Sequence, residues 1–174
     1  MRSPSPRLNW AYTAVLLAPA LLVGCSESEA PDDELNPVRA HEPPRIAPAG
    51  EALSGAHIPT LDPATMSDAE IWKAIGRGAH CIFRYTSSGK PVLAVKALPG
   101  GGAEGVVKLN GSLVLLRSAS SSSELVLAAD EVRMSLATEG GGATADQSQE
   151  EATSVFEVGD RLKVGYRGYY RCVD

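Results

Sequence analysis

The sequence predicts a mainly β fold: a small antiparallel barrel or strongly curved sheet of about seven or eight strands, with one short N-terminal helix packed on it. Three observations lead to this prediction. After Gly78, apolar residues recur with a period of two, which is typical of half-buried strands. Clusters of Gly, Ser, Asn and Pro interrupt this alternation at short intervals. The part of the chain that follows the predicted tether has about 110 residues, which is enough for one core.

One helix precedes the strands. Ser67 and Glu70 have the spacing of a capping box, and Met66 and Ile71 have that of a hydrophobic staple. Gly76 stands where the helix would end. Ile71, Trp72 and Ile75 are expected to share its apolar face. Because a helix of about nine residues is not stable alone, this face should lie on the sheet.

The strands follow in sequence order, separated by turn residues. They are predicted at Cys81–Tyr85, Val92–Ala97, Val106–Leu109, Ser112–Arg117, Glu124–Ala128, Val132–Thr138, Thr153–Val158 and Leu162–Cys172. Asn110 and Gly111 suit a type I′ hairpin turn, because both tolerate a positive φ. The hairpin around them is apolar on both faces. Its second face therefore needs a cover, either the helix with Trp72 or a partner protein.

The last hairpin has a register that the pattern can decide. A three-residue loop, Gly159–Arg161, pairs Phe156 with Val164 and Glu157 with Lys163. A two-residue loop would instead place Phe156 opposite Lys163. The longer loop is preferred because it buries apolar against apolar, and a slip of one residue would reverse every side chain.

The N-terminus carries the pattern of a secretory signal. Arg2 and Arg7 precede an apolar run that is shorter than the roughly 20 residues of a membrane-spanning helix. The run ends in Leu22–Cys25, which resembles the lipobox of bacterial lipoproteins. In that class a peptidase cuts before the cysteine, and the thiol receives a diacylglycerol. The resemblance implies a signal peptide over residues 1–24 and lipid attachment at Cys25.

A lipid on Cys25 would keep the mature chain on a membrane, since each buried methylene contributes about 0.8 kcal/mol. Ser26 occupies the position at which such lipoproteins carry aspartate when they stay in the inner membrane. The resemblance therefore implies the bacterial envelope, at the outer membrane facing the periplasm. The alternative is an ordinary secreted protein with Cys25 near the cleavage site by chance.

Residues 25–62 are predicted to form a lipid-anchored, extended tether, and residues 63–174 the β domain. Between residues 26 and 60 the chain has seven acidic residues, two basic residues and six prolines, a composition that buries too little apolar surface to fold. Residues 61–174 hold 14 acidic and 12 basic residues. This near-neutral domain gives no reason to expect a nucleic-acid partner.

Besides Cys25 the chain has two cysteines, and in the expected periplasmic location disulfides persist. Cys81 begins the first strand and Cys172 ends the last, and each lies on the apolar side of its strand. In a closed antiparallel sheet these strands become neighbours that run in opposite directions. The positions therefore predict a disulfide that closes the barrel, with two free buried thiols as the alternative.

The last strand is two-sided, with one apolar and one basic face. Its basic face is the candidate ligand-binding surface, formed by Lys163, Arg167, Tyr169 and Arg171. Arginines beside a tyrosine can combine bidentate contacts to carboxylate or phosphate with stacking. The expected partner is an anionic envelope ligand, such as a peptidoglycan carboxylate or a lipid A phosphate, or an acidic protein. The alternative is a solvated face paired with acidic residues across the sheet.

Reactive residue clusters are absent from the sequence. His80 is the only histidine of the domain, so no His and Cys metal site is expected, and no nucleophile accompanies it. Asp130 and Glu131 are interpreted as a strand boundary, because neighbours in a strand point to opposite faces. We therefore expect no enzyme activity, no metal and no cofactor.

The predicted plan of lipidated cysteine, tether and disulfide-closed barrel resembles the membrane-bound inhibitors of c-type lysozyme. In that family a loop with Ser, Gly, any residue, Arg or Lys, and Tyr enters the lysozyme cleft. The corresponding stretch is Asp130–Met134, in which only Arg133 matches. The segment Gly165–Cys172 also resembles the ends of short proteobacterial lipoproteins without an assigned role.

These features together predict an envelope-anchored, non-catalytic binding lipoprotein that presents a β-barrel domain in the periplasm. Two alternatives stay open. The first is a lysozyme-inhibitor-like protein. The second is a structural or assembly lipoprotein that uses the second apolar face of the Val106–Leu116 hairpin to contact another envelope protein.

Overall fold

Eight antiparallel strands close into a barrel in the computed structural model, which describes residues 43–119, 124–138 and 149–173. Each strand pairs with the next along the chain, and the last pairs with the first. The predicted fold class is confirmed. The strands are β1 His80–Arg84, β2 Leu93–Ala97, β3 Ala103–Leu109, β4 Ser112–Ser118, β5 Leu125–Ala129, β6 Val132–Thr138, β7 Glu150–Val158 and β8 Leu162–Val173.

Three short helical segments precede the barrel: α1 Ala49–Leu53, a 3₁₀ turn at Ile58–Thr60, and α2 Asp68–Ile75. The predicted capping box of α2 is present. The Ser67 hydroxyl accepts the backbone N–H of Glu70, and the Glu70 carboxylate accepts the backbone N–H of Ser67 at 2.6 Å. These reciprocal bonds satisfy two donors that a free helix end would leave unpaired.

Helix α2 lies on the outside of the barrel and contacts β2, β3 and β4. Its buried residues join a cluster made of Met66, Ile71, Ile75, Ile82, Ala94, Val106 and Leu113. The second face of the β3–β4 hairpin is thus covered by the helix, as one of the two predicted alternatives requires. Trp72 was expected on the same face as Ile71 and Ile75, and this is wrong. Its side chain is 37% exposed, because the packed face is centred on Ile71 and Ile75.

The interior of the barrel is filled by the inward residues of every strand. The largest fully buried ones are Phe83, Leu93, Leu109, Leu116, Leu127, Met134 and Phe156, all with 0–1% exposure. The alternation predicted from the sequence places these residues inside because successive side chains of a strand point to opposite faces. The interior is therefore a packed core.

The expectation of an extended tether over residues 25–62 is wrong from residue 43 onward. Arg45 and Ala47 form backbone hydrogen bonds with Leu113 of β4, at 2.8 and 2.9 Å. The following turns then contribute to the barrel core with Ala49, Ala52, Leu53, Ile58 and Leu61. The apolar residues between the prolines provide enough burial to order this N-terminal segment, residues 43–62.

Two tyrosines hold the end of the N-terminal segment against the barrel. The Tyr166 hydroxyl donates to the Asp62 carboxylate, and the Tyr85 hydroxyl donates to the Pro63 carbonyl at 3.1 Å. Their ring centroids are 5.0 Å apart. Burial, followed by the negative charge of Asp62, raises the pKa of Tyr85 to about 12. Burial and the bond to Asp62 also raise the pKa of Tyr166. Both phenols therefore stay protonated and keep donating at neutral pH.

The predicted registers agree with the structure. Phe156 lies opposite Val164 and Glu157 opposite Lys163 in the β7–β8 hairpin. Asn110 and Gly111 have φ values of 45° and 79°, as a type I′ turn requires. Cys81 lies directly opposite Cys172 and forms a disulfide with it, which joins β1 to β8. Cys25 and the predicted signal peptide lie outside the described residues.

Removing the disulfide should destabilise the barrel strongly. The cysteines are 91 residues apart, and for a loop of that length the entropy of the unfolded chain contributes about 4–5 kcal/mol. We expect the Cys81→Ala/Cys172→Ala variant to lose stability of this order in urea denaturation, and reduction of the native protein to do the same. An equal stability of oxidised protein, reduced protein and variant would contradict the prediction.

Gly168 lies where β8 packs tightly against the end of β1. A Cβ atom at this position would overlap the carbonyl oxygen of Arg84 and would lie 2.7 Å from Cζ of Phe83. Gly165, three residues earlier in the same strand, has no neighbouring atom within 4 Å of such a Cβ. The two glycines therefore form a matched pair.

Gly168→Ala should destabilise the protein by about 1–3 kcal/mol or more, because β8 must move away from β1 to admit the methyl group. Gly165→Ala should be neutral or slightly stabilising, since alanine reduces the entropy of the unfolded chain. Thermal denaturation of both variants measures the difference. Similar melting temperatures would show that the approach at Gly168 is not tight.

Candidate functional site

A groove lies outside the barrel at the junction of β1 and β8, beside helix α2. It encloses about 400 Å³, within the range of about 300–1,000 Å³ typical of small-molecule sites. The strands contribute His80, Ile82, Arg84, Arg171 and Val173, whereas the helix and the loop after it contribute Asp68, Trp72, Arg77 and Gly78. Three arginines thus line one concave surface.

The register of the closing strands brings two of these arginines together. Because Cys81 and Cys172 face the interior as an opposite pair, the next residue of β1 and the preceding residue of β8 face outward. Ile82 consequently lies opposite Arg171, and Arg84 lies opposite Tyr169. Arg84 and Arg171 are diagonal neighbours on the same outer face, a relation that separates Cα atoms by about 7–8 Å.

Arg84 and Arg171 are only partly solvated. The Nε atom of each is shielded from solvent and has no hydrogen-bond partner among the described residues. Burial lowers the pKa of Arg84, repulsion from Arg171 lowers it further, and the Asp68 carboxylate opposes both effects. The guanidinium groups remain charged at neutral pH. Two cations with reduced hydration therefore share this part of the groove.

Arg77 is held at the edge of the groove by contacts on both sides. Its guanidinium carbon lies 4.2 Å from the centroid of the Trp72 ring, a cation–π distance. Its backbone carbonyl accepts a hydrogen bond from Nζ of Lys96 at 3.1 Å, and the Ile75 carbonyl accepts one at 3.2 Å. Lys96 thus supplies a positive charge at the carboxyl end of α2, where the helix dipole favours it. These bonds fix the loop that carries Arg77.

His80 completes the polar lining. Its Nδ1 lies 2.8 Å from the carbonyl oxygen of Gly78, which can only accept. Nδ1 must therefore carry a hydrogen, and Nε2 is an acceptor in the neutral ring and a donor in the protonated ring. Gly78 has a φ of 117°, a conformation that favours glycine.

The basic face predicted along β8 does not form one site. Lys163 pairs with Glu157 at 2.8 Å near the β7–β8 turn. Arg167 and Tyr169 line a second depression together with the carboxylate of Glu151. Of the four predicted residues only Arg171 lines the groove. Lys163 is eight residues away along β8, which corresponds to about 26 Å of strand.

Sequence reasoning did not include Arg77, Arg84, His80 and Trp72 in the candidate site. The sequence did contain a signal for Arg84. The predicted disulfide pairs Cys81 with Cys172, so Arg84, three residues after Cys81, faces outward opposite Tyr169 and two positions from Arg171 along β8. Arg77 and Trp72 could not be located in this way. Their positions depend on where α2 packs on the barrel.

The family of the chain follows from a profile match that includes both strands of the groove. A profile described as a domain of unknown function, DUF6692, matches residues 21–174. The chain belongs to the DUF6692 family. Comparisons with curated proteins and with solved structures found no match.

Elsewhere in the DUF6692 protein, Asp130 and Glu131 form the turn between β5 and β6, in agreement with their interpretation as a strand boundary. Glu131 pairs with Arg161 at 2.6 Å. Within residues 43–119, 124–138 and 149–173, no group of three or more His, Cys, Asp or Glu side chains could hold a metal ion. The same ranges contain no helix of the length and apolarity needed to cross a membrane.

The stretch compared with the lysozyme-inhibitor motif runs from this turn into β6. Val132 and Met134 are buried in the barrel, with 0% and 1% exposure. Arg133 is exposed and lies 4.0 Å from the Glu157 carboxylate. The stretch therefore presents a tight turn and one arginine on its outer side.

Proposed function

We propose that this DUF6692 protein is a lipid-anchored, non-catalytic binding protein of the bacterial envelope, and that the groove beside β1 and β8 receives an anionic ligand. Cys25 carries the lipid, and the β-barrel domain is presented in the periplasm at the outer membrane. Arg77, Arg84 and Arg171 hold the ligand, and Trp72 with His80 borders it.

The observation that carries the binding proposal is the partly desolvated pair Arg84 and Arg171. Bringing two like charges together with reduced hydration is unfavourable unless an anion compensates them. Other basic residues on the barrel, such as Lys163 and Arg161, have carboxylates within 2.8 Å. Among the described residues, no carboxylate lies within 4 Å of the guanidinium groups of Arg84 and Arg171. The groove thus leaves an excess of positive charge for a ligand.

The proposal of an anchored envelope protein rests on the N-terminal sequence. Arg2 and Arg7, the apolar run and Leu22–Cys25 have the order of a lipoprotein signal. The disulfide between Cys81 and Cys172 suits an oxidising compartment such as the periplasm. Both features support export, and the Leu22–Cys25 sequence alone supports attachment.

Neither alternative function is favoured by a contact in the barrel. The assembly lipoprotein needs the second face of the β3–β4 hairpin, and α2 covers that face with Ile71 and Ile75. The lysozyme inhibitor needs an inserting loop, and the corresponding turn at Asp130 and Glu131 is short and followed by buried residues. We therefore retain the binding protein as the proposal.

Binding to envelope material should depend on the arginines of the groove. We expect Arg84→Gln and Arg171→Gln each to weaken co-sedimentation with lipopolysaccharide or peptidoglycan by about tenfold or more, since a charge-assisted hydrogen bond contributes about 1.5–3 kcal/mol. Arg117→Gln is the matched control, because Arg117 is an outward arginine whose side chain is 77% exposed. Arg167→Gln separates the groove from the rest of the β8 face.

Each variant needs a melting temperature beside its binding curve, so that loss of fold is not mistaken for loss of contact. Unchanged sedimentation of Arg84→Gln and Arg171→Gln would contradict the proposed site. A loss confined to Arg167→Gln would move the site to the second depression. The proposal requires that only the groove variants lose binding.

Membrane attachment should depend on Cys25. Cys25→Ser should abolish incorporation of radiolabelled palmitate and leave an unprocessed precursor, because the thiol that accepts the lipid is missing. Ser26→Asp should keep the label and shift the protein towards the inner membrane, and Ser28→Ala is a matched control for substitution in this region. Unlabelled wild-type protein in the cytosol, with residues 1–24 still attached, would overturn the proposed anchoring.

A further inference from the structure

We infer that the groove binds the dianionic phosphoryl group of a phosphate monoester. This inference deepens the proposed function, because it requires that the groove is an anion site and adds the chemical class of the anion. The cluster that carries it consists of Arg77, Arg84, Arg171, Asp68 and His80, all of which line the groove.

The balance of charges in the groove favours a dianion. Among the described residues that line the groove, three guanidinium groups accompany one carboxylate, that of Asp68, which is an excess of two positive charges while His80 is neutral. A phosphate monoester carries a charge of about −1.5 to −2 at pH 7. A carboxylate or a phosphodiester carries one negative charge, so it would leave one guanidinium charge uncompensated in a partly desolvated place.

The number and geometry of the donors favour the same group. A phosphate monoester has three terminal oxygens, and each of the three guanidinium groups presents a planar fork of N–H donors that suits such oxygens. The forks come from different elements of the fold: Arg84 from β1, Arg171 from β8 and Arg77 from the loop after α2. A planar carboxylate offers only two oxygens to these three forks.

The rest of the groove suits the alcohol part of an ester. The volume of about 400 Å³ leaves space beyond that of a single phosphoryl group. Ile82 and Val173 provide apolar surface on the strands, and the Trp72 ring borders the groove with 37% exposure. The alcohol part can belong to a soluble ester or to a lipid headgroup, and both present the same phosphoryl chemistry.

Substitution of Asp68 tests the inference by an expected gain of affinity. It lies in the first turn of α2 and its charge interacts with Arg84. Asp68→Asn keeps the size of the side chain and removes a negative charge from the lining of the groove. Affinity for the phosphate monoester should rise by roughly threefold to tenfold, an effect that a merely structural role of Asp68 would not produce.

The experiment is calorimetric titration of the purified full-length mature protein with glycerol 3-phosphate, dimethyl phosphate and acetate at one ionic strength. We expect glycerol 3-phosphate to bind at least about tenfold more tightly than either monoanion. Arg84→Gln and Arg171→Gln should remove this preference, whereas the control Arg117→Gln should keep it. Melting temperatures of all variants show whether the fold is retained.

Vesicles distinguish the two sources of the ester. Because a lipid on Cys25 would attach the protein to any vesicle, this arm uses the Cys25→Ser chain produced without residues 1–24. Its flotation with phosphatidylcholine vesicles that contain phosphatidic acid, a monoester, is compared with its flotation at an equal fraction of phosphatidylglycerol, a diester. Preferential flotation with phosphatidic acid that requires Arg171 supports the inference with a lipid headgroup as ligand. Tight binding of glycerol 3-phosphate without such flotation supports it with a soluble ester.

The outcomes that overturn the inference are distinct from those that overturn the proposed function. Equal affinities for all three anions, still dependent on Arg84 and Arg171, would reject the phosphate monoester and leave the anion site intact. If none of the soluble anions and neither kind of vesicle binds, the inference is rejected. If co-sedimentation with envelope material is also independent of the two arginines, the proposed function fails as well.

Discussion

The pairing of β8 with β1 is the constraint on which both the core and the groove depend. It converts a meander of eight strands into a barrel without edges, which removes the unpaired backbone groups that an open sheet would expose. The disulfide fixes this pairing at Cys81 and Cys172. Gly168, four residues before Cys172 on the same inward side of β8, has no side chain that would keep the two strands apart. Covalent connection and close packing therefore support a single register.

That register has consequences on both faces of the sheet. Inside, it brings Phe83 beside Tyr170, both buried in the core. Outside, it brings Arg84 within one diagonal step of Arg171. A slip of one residue would exchange the two faces, placing arginines in the core and the cysteines in solvent. The stability of the barrel and the position of the proposed site thus follow from the same pairing, although they concern opposite sides of the sheet.

Helix α2 explains why the outer face at this junction is a groove and not an open surface. Its apolar contacts lie over β2, β3 and β4, so the helix is held to one side of the β1–β8 pair. Its capping box and the bonds from Lys96 fix its two ends. Trp72 and Arg77 consequently project from the helix side next to the arginines of the strands. A wall of the groove is therefore built by contacts that are themselves purely structural.

The sequence predicts those parts of the molecule in which local pattern and tertiary structure agree. The alternation in β8, the turn at Asn110 and the capping box of Ser67 all depend on neighbours within a few residues, and the pairing of Cys81 with Cys172 depends on closure alone. The groove depends on where a helix packs, which no local pattern encodes. Residues 43–62 were not predicted as part of the fold for a related reason. They are rich in proline and follow an acidic stretch, a composition that indicates disorder, whereas a few residues such as Leu53 and Ile58 pack into the barrel core.

Ordering of the N-terminal segment also changes how far the domain can lie from a lipid on Cys25. A tether that ended at residue 62 would span up to about 130 Å at full extension, whereas the 18 residue steps from Cys25 to Pro43 span at most about 60–65 Å. The bonds of Asp62 and Pro63 to Tyr166 and Tyr85 secure the shorter length, because they hold the following chain to the barrel. If Cys25 carries the proposed lipid, halving the reach raises the effective concentration of the groove at the membrane surface. For an anchored protein, weak recognition of a phosphoryl group borne by that membrane would then be sufficient for occupancy.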